Sequence, residues 1–291
     1  MTTWNKNWIY HSMTKEQLGE WQDTLDKEQG AAVYRHATLE SEGFIHLSKL
    51  GQMPWVKDRF YRNTQELNVM VVDPQQLSSK LVYEGPVASP ELLKTLSGDA
   101  TFPHIYGYIN QEAIVAIVPY VQVYIQWLIT HYDFKRLPVE GTFYKSTYQG
   151  ELKDGVPEGT GMIGMYAVEP MSVSCFHKLT RPEMWHFYGG DPLELILLHP
   201  DGTDETIILG TDLYKGHQLQ YVIPAGVWQA GRVKAGGAYS LFGCTLAPGF
   251  TPDCFEGGLK DVLSAKYPNQ REAIEALSVN GDETVMPDLG E

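Results

Sequence analysis

Two residues in the second half of the chain have the types and spacing of an acid–base pair. His177 precedes Glu183 by six positions, and a Gly189-Gly190 turn follows them. Imidazole titrates near neutral pH, so His177 could act as a general base, and Glu183 could orient its ring or share its proton. The alternative is a buried hydrogen-bonded pair that only stabilises the fold.

Aromatic residues near this pair predict an apolar wall for a small-molecule ligand. Trp185 follows Glu183, Trp228 lies beside a later Pro-x-Gly turn, and Tyr144 opens the same half of the chain. Such rings pack well against a sugar ring or a base.

A second group of polar residues lies in the first half of the chain, at predicted strand ends and turns. Loops and strand ends are where binding groups are usually carried, so we expect this group to bind a ligand. Each histidine taken alone is more often a hydrogen-bonded structural group. No two are spaced as metal ligands on one helix. The group consists of His11, His46, Ser48, Glu84 and His104.

The elements that must position this second group form an α+β domain. Residues 8–11 predict a strand, and Thr14 and Gln17 predict a capping box that begins a helix ending near Gly30. The apolar run 67–72 predicts a central strand, and a helix is expected to begin at Ser89. Along 44–48, strand alternation directs His46 and Ser48 toward a cleft or solvent.

The second half predicts an all-β barrel or sandwich. A helix is expected over 121–132, packed on the barrel, and short strands and turns then repeat about every ten residues. A hairpin is predicted from 193–198 to 206–209, and a short helix over 269–277. The tail is acidic, and we expect it to be flexible. The predicted domains are residues 1–120, residues 121–268 and a helix with its tail at 269–291.

Composition and charge restrict the possible partners. The chain has 291 residues, 22 basic and 36 acidic, with a formal net charge of −14. A basic face is needed to bind nucleic-acid phosphates or an anionic membrane, so neither is an expected partner. The three cysteines form no CxxC motif, and reduced thiols fit a soluble cytoplasmic protein.

Three motifs of the first half carry a resemblance that spans residues 8–118. They are Ile9-Tyr10-His11, the block 42–48 and the segment 102–107. They resemble a bacterial family described only as a domain of unknown function, which is remotely similar to the ADP-ribosyltransferase fold. That fold holds a nicotinamide dinucleotide with a histidine and a glutamate. The resemblance implies that His11 and Glu84 occupy those places, with His46 near a tyrosine position.

Residues 123–255 resemble a cupin family that is also catalogued mainly as a domain of unknown function. The resemblance implies a double-sheet jelly roll, similarity to epimerases of thymidine diphosphate sugars, and a homodimer formed through the barrel. It also places Glu140 and Gln229 among the ligand-binding residues. The matching blocks include Glu140-Gly141, Phe176-His177, the run 183–188, the run 224–229 and the run 243–250.

The common metal site of cupins is only half present. His177 and Glu183 match two of its ligands, but Leu179 and Gln229 stand where the other two histidines belong. His186 could complete a two-His-one-carboxylate site only by turning inward, and strand alternation places it on the other face from Glu183. We therefore predict no metal and no cofactor.

Three functions are compatible with these patterns. The first is an epimerase or isomerase of a nucleotide-linked sugar or similar carbonyl compound, with His177 as base. The second is a transferase or hydrolase that handles a nicotinamide dinucleotide or another nucleotide in the first half, through His11, His46 and Glu84. The third is a non-catalytic metabolite sensor. Thermal shifts with sugar nucleotides test the first, and nicotinamide release lost in Glu84→Ala tests the second.

Overall fold

In a computed structural model the chain divides into two units, Met1–His131 and Tyr132–Glu291. The structure describes residues 4–28, 32–85, 99–279, 281 and 283–288. The predicted helix at Ser89 lies outside the described residues. The first boundary falls later than residue 120 because the helix that follows it packs on the first unit, where Val123 joins an apolar cluster with Tyr10 and Met53. This helix was expected to pack on the barrel.

The first unit combines helices and strands, as predicted. Its helices are α1 (Lys15–Glu28), α2 (Thr38–Ser41), α3 (Met53–Phe60) and α4 (Tyr120–Tyr132). Its strands are β1 (Ile9–Thr14), β2 (Val33–Tyr34), β3 (Ile45–His46), β4 (Ser48–Lys49), β5 (Leu67–Val72), β6 (Lys80–Glu84), β7 (Phe102–Tyr106), β8 (Ile109–Asn110) and β9 (Ile114–Pro119).

Two antiparallel sheets carry the polar residues of the first unit. A four-stranded sheet has the order β4-β1-β5-β9, with the apolar strand β5 in its interior as predicted, and a three-stranded sheet has the order β3-β7-β6. The predicted capping box at the start of α1 is present. Gln17 Oε1 accepts from the Thr14 amide at 2.8 Å, and Thr14 Oγ1 accepts from the Gln17 amide at 3.3 Å.

The segment 44–48 does not form the single strand that alternation implied. Strand β3 pairs with β7, whereas β4 pairs with β1 in the other sheet. The chain changes sheets at Leu47, so the alternation of faces does not continue across this residue. As a result His46 is exposed but Ser48 is buried, which corrects the expectation that both point to a cleft or solvent.

The second unit consists mostly of strands. They are β10 (Lys135–Arg136), β11 (Phe143–Gln149), β12 (Leu152–Lys153), β13 (Val156–Pro157), β14 (Thr160–Ala167), β15 (Ser174–Leu179), β16 (Glu183–Gly190), β17 (Leu193–Leu198), β18 (Asp204–Leu209), β19 (Gln220–Ile223), β20 (Trp228–Val233), β21 (Tyr239–Leu246) and β22 (Phe255–Gly257). Two helices follow them, α5 (Lys260–Lys266) and α6 (Arg271–Leu277).

These strands form two large antiparallel sheets with an apolar core. One sheet has the order β10-β11-β14-β21-β16-β19, and the other has the order β18-β17-β20-β15-β22. Trp185 and Phe242 of the first sheet and Leu195 of the second belong to one buried cluster. The predicted hairpin is present as β17 and β18, and Gly202 supplies its turn with a φ of 94°. Residues of both sheets therefore contribute to one core.

Two helices and a short packed segment end the second unit. Helix α6 buries Ala273, Ile274 and Leu277, the face that the sequence predicted. Helix α5 was not expected. Beyond the helices, Met286 is 2% exposed and packs in an apolar cluster with Leu179 and Phe255.

Candidate functional site

The imidazole of His177 is held in one tautomer. His177 lies on β15 and is 3% exposed. Its Nδ1 is 2.8 Å from the carbonyl oxygen of Cys175, and because a carbonyl can only accept, Nδ1–H donates. The neutral ring therefore has an unprotonated Nε2. The ring also stacks on Phe255, with centroids 5.1 Å apart, so its orientation is restricted by packing as well as by the hydrogen bond.

Glu140 is the carboxylate that faces this nitrogen. Its Oε2 is 4.0 Å from His177 Nε2. The turn before β11 presents Glu140, with Gly141 in the left-handed region at a φ of 91°. The Glu140 carbonyl accepts from the Cys175 amide at 2.9 Å, which fixes this turn beside β15. The sequence placed Glu140 in the site by resemblance only and assigned it no role.

A group of buried hydroxyls holds the other oxygen of Glu140. Thr142 Oγ1 and Ser174 Oγ each lie 2.6 Å from Glu140 Oε1, and the Tyr166 hydroxyl donates to Ser174 Oγ at 2.6 Å. Burial, and then the charge of Glu140, raises the pKa of Tyr166 well above its usual value. The buried Glu140 carboxyl group is thus held by side-chain hydroxyls through one of its two oxygens.

Glu183 belongs to the opposite sheet and has other partners. Its Oε2 accepts from Gln229 Nε2 at 2.7 Å and from Trp185 Nε1 at 3.1 Å. Burial raises the pKa of Glu183, although the nearby His177 opposes this. The expectation that Glu183 orients His177 is corrected, because the backbone carbonyl of Cys175 orients the ring. Burial thus favours the protonated form of Glu183.

A cavity of about 670 Å³ contains these groups. His177, Glu140, Glu183 and Trp185 line it, with Tyr144 on the wall as predicted. Its other walls are largely apolar. Among the described residues that line it there is no lysine and no arginine, whereas Glu140, Glu183 and Asp288 are carboxylates. The cavity is therefore suited to a small polar ligand without a strongly anionic group.

Trp228 does not line this cavity, which corrects the prediction. Its side chain packs on the outer apolar cluster formed with α5 and α6, and Lys178 Nζ lies 4.5 Å from its ring centroid. Successive residues of β20 point to opposite faces, so Trp228 points outward when Gln229 points inward to Glu183. The order of these two residues alone does not tell which of them faces the barrel interior.

The donor atoms of the cavity do not fit the usual metal site of two histidines and a carboxylate. Leu179 lines the cavity without a donor atom, and the amide of Gln229 is engaged with Glu183 and Trp185. His186, which is half-buried, bonds Thr245 Oγ1 at 3.0 Å. No group of three His, Cys, Asp or Glu residues in the described part of the chain is arranged to hold a metal ion. We derive no chemistry through a metal.

In the first unit, both ring nitrogens of His11 are engaged. Nδ1–H donates to the His46 carbonyl at 2.8 Å, and Nε2 contacts the Tyr34 hydroxyl at 2.9 Å. Burial lowers the pKa of His11 to about 4. His36 lies beside it, with ring centroids 5.0 Å apart, and was not predicted because it follows a strand of only two residues. These contacts describe a buried structural histidine.

The structure brings His46, His104 and Glu84 together on the three-stranded sheet. His104 Nδ1 is 2.9 Å from Glu84 Oε1, which also accepts from the Tyr106 hydroxyl at 2.7 Å. The His46 and His104 rings meet edge to face at 5.0 Å. The Tyr106 hydrogen bond, and then that of His104, lowers the pKa of Glu84. His11 lies on the other sheet, so the predicted group is divided between two sheets.

Family comparisons agree with both units. Residues 126–257 match the model of the cupin superfamily family DUF985, and residues 17–117 match a protein family of unknown function, DUF952. The second unit is therefore similar to cupins over residues 126–257, and the first unit is similar to the DUF952 family over residues 17–117. The predicted cupin jelly roll and the mixed α+β unit are thereby confirmed. A cupin fold with such a cavity indicates small-molecule binding.

Three solved structures are each similar to a part of this chain. Protein SO0799 from Shewanella oneidensis is 32% identical, covers 53% of this chain and 96% of its own, and gives a TM-score of 0.49. A hypothetical protein from Leishmania major is 24% identical, with coverages of 53% and 98% and a TM-score of 0.48. Protein CC0527 from Caulobacter crescentus is 22% identical, with coverages of 38% and 84% and a TM-score of 0.30.

Two further searches, one among curated proteins and one for membrane-spanning helices in the described residues, found no match. No curated protein matches the chain. In the described part of the chain, no helix has the length and apolar character needed to cross a membrane.

Proposed function

We propose that the cupin unit transfers a proton at a carbon next to the carbonyl group of a small polar ligand, as isomerases and epimerases do. One observation carries this proposal. His177 Nε2, the ring nitrogen that does not bond the Cys175 carbonyl, faces Glu140 Oε2 across 4.0 Å inside the cavity. This separation is longer than a hydrogen bond, so a ligand atom beside the line that joins them can contact both groups.

The residues of the cavity have separate roles in such a reaction. His177 Nε2 takes the proton from carbon, and the electron pair moves to the carbonyl oxygen. The charge of Glu140 then stabilises the imidazolium that forms. Glu183 faces the cavity from the other sheet, and burial favours its protonated form, so it can donate a hydrogen bond to the developing oxyanion.

The charge of the lining restricts the ligand. Diphosphates are usually held by arginine, lysine or a helix N-terminus, and no lysine or arginine lines the described cavity. The sugar of a nucleotide-linked sugar fits the proposed chemistry, but its diphosphate would then lie outside this cavity. A free keto sugar or another neutral carbonyl compound fits without that condition.

Hydrogen exchange from solvent tests the proposal directly. The protein is incubated in deuterium oxide with D-fructose or with a thymidine diphosphate-linked 4-keto-6-deoxy sugar, and deuterium at carbon is followed by NMR. We expect exchange with one of these probes, and His177→Asn should slow it by about 10²-fold to 10⁴-fold. His186→Asn is the matched control, because His186 is half-buried, does not line the cavity and bonds Thr245 instead.

Two outcomes would contradict this function. Equal exchange rates in wild type and His177→Asn would exclude His177 as the base. Thermal stabilisation by a probe without any exchange in the wild type would favour a non-catalytic metabolite sensor. The homodimer formed through the cupin unit also remains our prediction, and light scattering after size-exclusion chromatography tests it.

A further inference from the structure

The C-terminal strap, which we define as residues 283–288, contributes to the wall of the cupin cavity. Met286 and Asp288 both line the cavity. Met286 is 2% exposed, whereas its neighbour Val285 is 73% exposed. A short segment that buries one side chain completely and exposes the next is docked in one orientation, with Met286 directed at the barrel.

The strap is attached beside the strand that carries the proposed base. Strand β22 pairs with β15, and Gly257 is the register partner of His177. The Gly257 amide donates to the Thr284 carbonyl at 2.7 Å, so the strap lies along the other side of β22. The part of the cavity next to the strap is therefore close to His177 in the fold.

Gly257 makes this close approach possible. A Cβ at this position would lie 3.0 Å from Thr284 Cα and 3.1 Å from Glu283 O, both backbone atoms of the strap. Backbone atoms cannot move away as the end of a flexible side chain can, so any larger residue would displace the strap. The strap can therefore pack this closely against β22 only because residue 257 has no side chain.

Met286 connects the strap to the residues around the base. It packs in one apolar cluster with Leu179, Cys254 and Phe255, and Phe255 stacks on the His177 ring. Methionine is long and flexible, and its side chain occupies space that a ligand of greater size would need. Its removal would both enlarge the cavity and weaken the docking of the strap.

We propose that the C-terminal strap is a wall of the ligand-binding cavity and that Met286 determines the size of ligand that the cavity admits. This rests on the proposed function only in that the same cavity holds the substrate. The result would be a site that accepts small carbonyl compounds and excludes those with a bulky group on the strap side.

Thiol reagents of different sizes can serve as test ligands, because the buried thiol of Cys244 lines the cavity. We would label the full chain with small methyl methanethiosulfonate or bulky fluorescein maleimide, and measure modification of each cysteine by peptide mass spectrometry. Met286→Ala should increase the rate at Cys244 by about tenfold or more with the bulky reagent, and much less with the small one. Gly257→Val should also increase the rate at Cys244 with the bulky reagent, because the valine side chain would displace the strap from β22.

Val285→Ala is the matched control, since it shortens an exposed side chain of the same strap, and it should label as wild type does. Cys175 provides an internal reference, because it does not line the cavity. Unchanged labelling of Cys244 in both Met286→Ala and Gly257→Val would overturn the proposal. An equal increase at Cys175, with faster amide exchange in β17, would also overturn it, because it would show general destabilisation. Labelling does not depend on the proton transfer at carbon that we propose for His177, so this result is independent of the His177→Asn test.

Discussion

Acidification should destabilise the first unit through His11. The ring is buried between Tyr34, His36 and the His46 carbonyl, and burial lowers its pKa from 6.5 to about 4. The folded state therefore keeps His11 neutral while the unfolded chain binds a proton below pH 6.5. The stabilising contribution is complete above pH 6.5 and is lost as the pH falls toward 4.

The lowered pKa of His11 sets an upper limit on the free energy that its neutral form contributes to the stability of the first unit. A pKa change from 6.5 to about 4 corresponds to about 3 kcal/mol, at about 1.4 kcal/mol per pH unit. Burial also lowers the pKa values of His36 and His104, so these residues likewise make the free energy of unfolding fall as the pH falls. The variant His11→Gln isolates the contribution of His11, because glutamine does not titrate.

Amide hydrogen exchange in β1 and β5 measures this free energy within the first unit. Protection factors are determined from pH 4 to 7.5 and corrected for the intrinsic exchange rates. We expect His11→Gln to be less stable at pH 7 and to show a shallower dependence on pH than wild type. His46→Gln is the control, because His46 is half exposed and its substitution leaves the buried ring in place. An equal dependence of this free energy on pH in wild type and in His11→Gln would refute this reasoning.

Three smaller predictions concern packing and the site. Gly19→Ala, in α1 where a Cβ meets no atom within 4 Å, should stabilise the first unit by about 0.5–1 kcal/mol in urea titrations; a destabilised variant would contradict this. Gly231→Ala would place a Cβ 2.3 Å from the Tyr166 hydroxyl oxygen and should cost about 1–3 kcal/mol in thermal unfolding, so a neutral effect would show that Tyr166 moves freely. Trp185→Phe removes a donor to Glu183, and carbon NMR titration should find the pKa of Glu183 raised further; an unchanged pKa would mean that this bond does not stabilise the ion.

Local patterns predicted the elements with little error. The Thr14 and Gln17 capping box, the apolar strand β5 and the β17–β18 hairpin are all present. The capping box and the hairpin depend on contacts between residues close in the chain, and β5 was predicted from the apolar character of its own residues. The buried face of α6 was likewise predicted from helical spacing. Errors arose where the chain changes sheets, as at Leu47, since alternation carries no information across such a break.

The candidate site was predicted only in part. His177 and Tyr144 line the cavity as expected, but the partner of His177 is Glu140 and the partners of Glu183 are Gln229 and Trp185. The contacts of His177 with Glu140 and of Glu183 with Gln229 join residues far apart in the chain, and their distances depend on how the two sheets pack. The outward position of Trp228 has the same origin, because alternation does not tell which face of β20 is interior.

Sequence motifs alone predicted the two family resemblances, the jelly roll and the absence of two metal ligands at Leu179 and Gln229. Such predictions need only the residue types and their spacing, because the type of a side chain determines which ligands it can bind. Only the tertiary structure paired the unprotonated nitrogen of His177 with Glu140 and placed Met286 against the cavity. Both depend on close packing between distant segments, which is a property of the assembled fold and not of any local pattern.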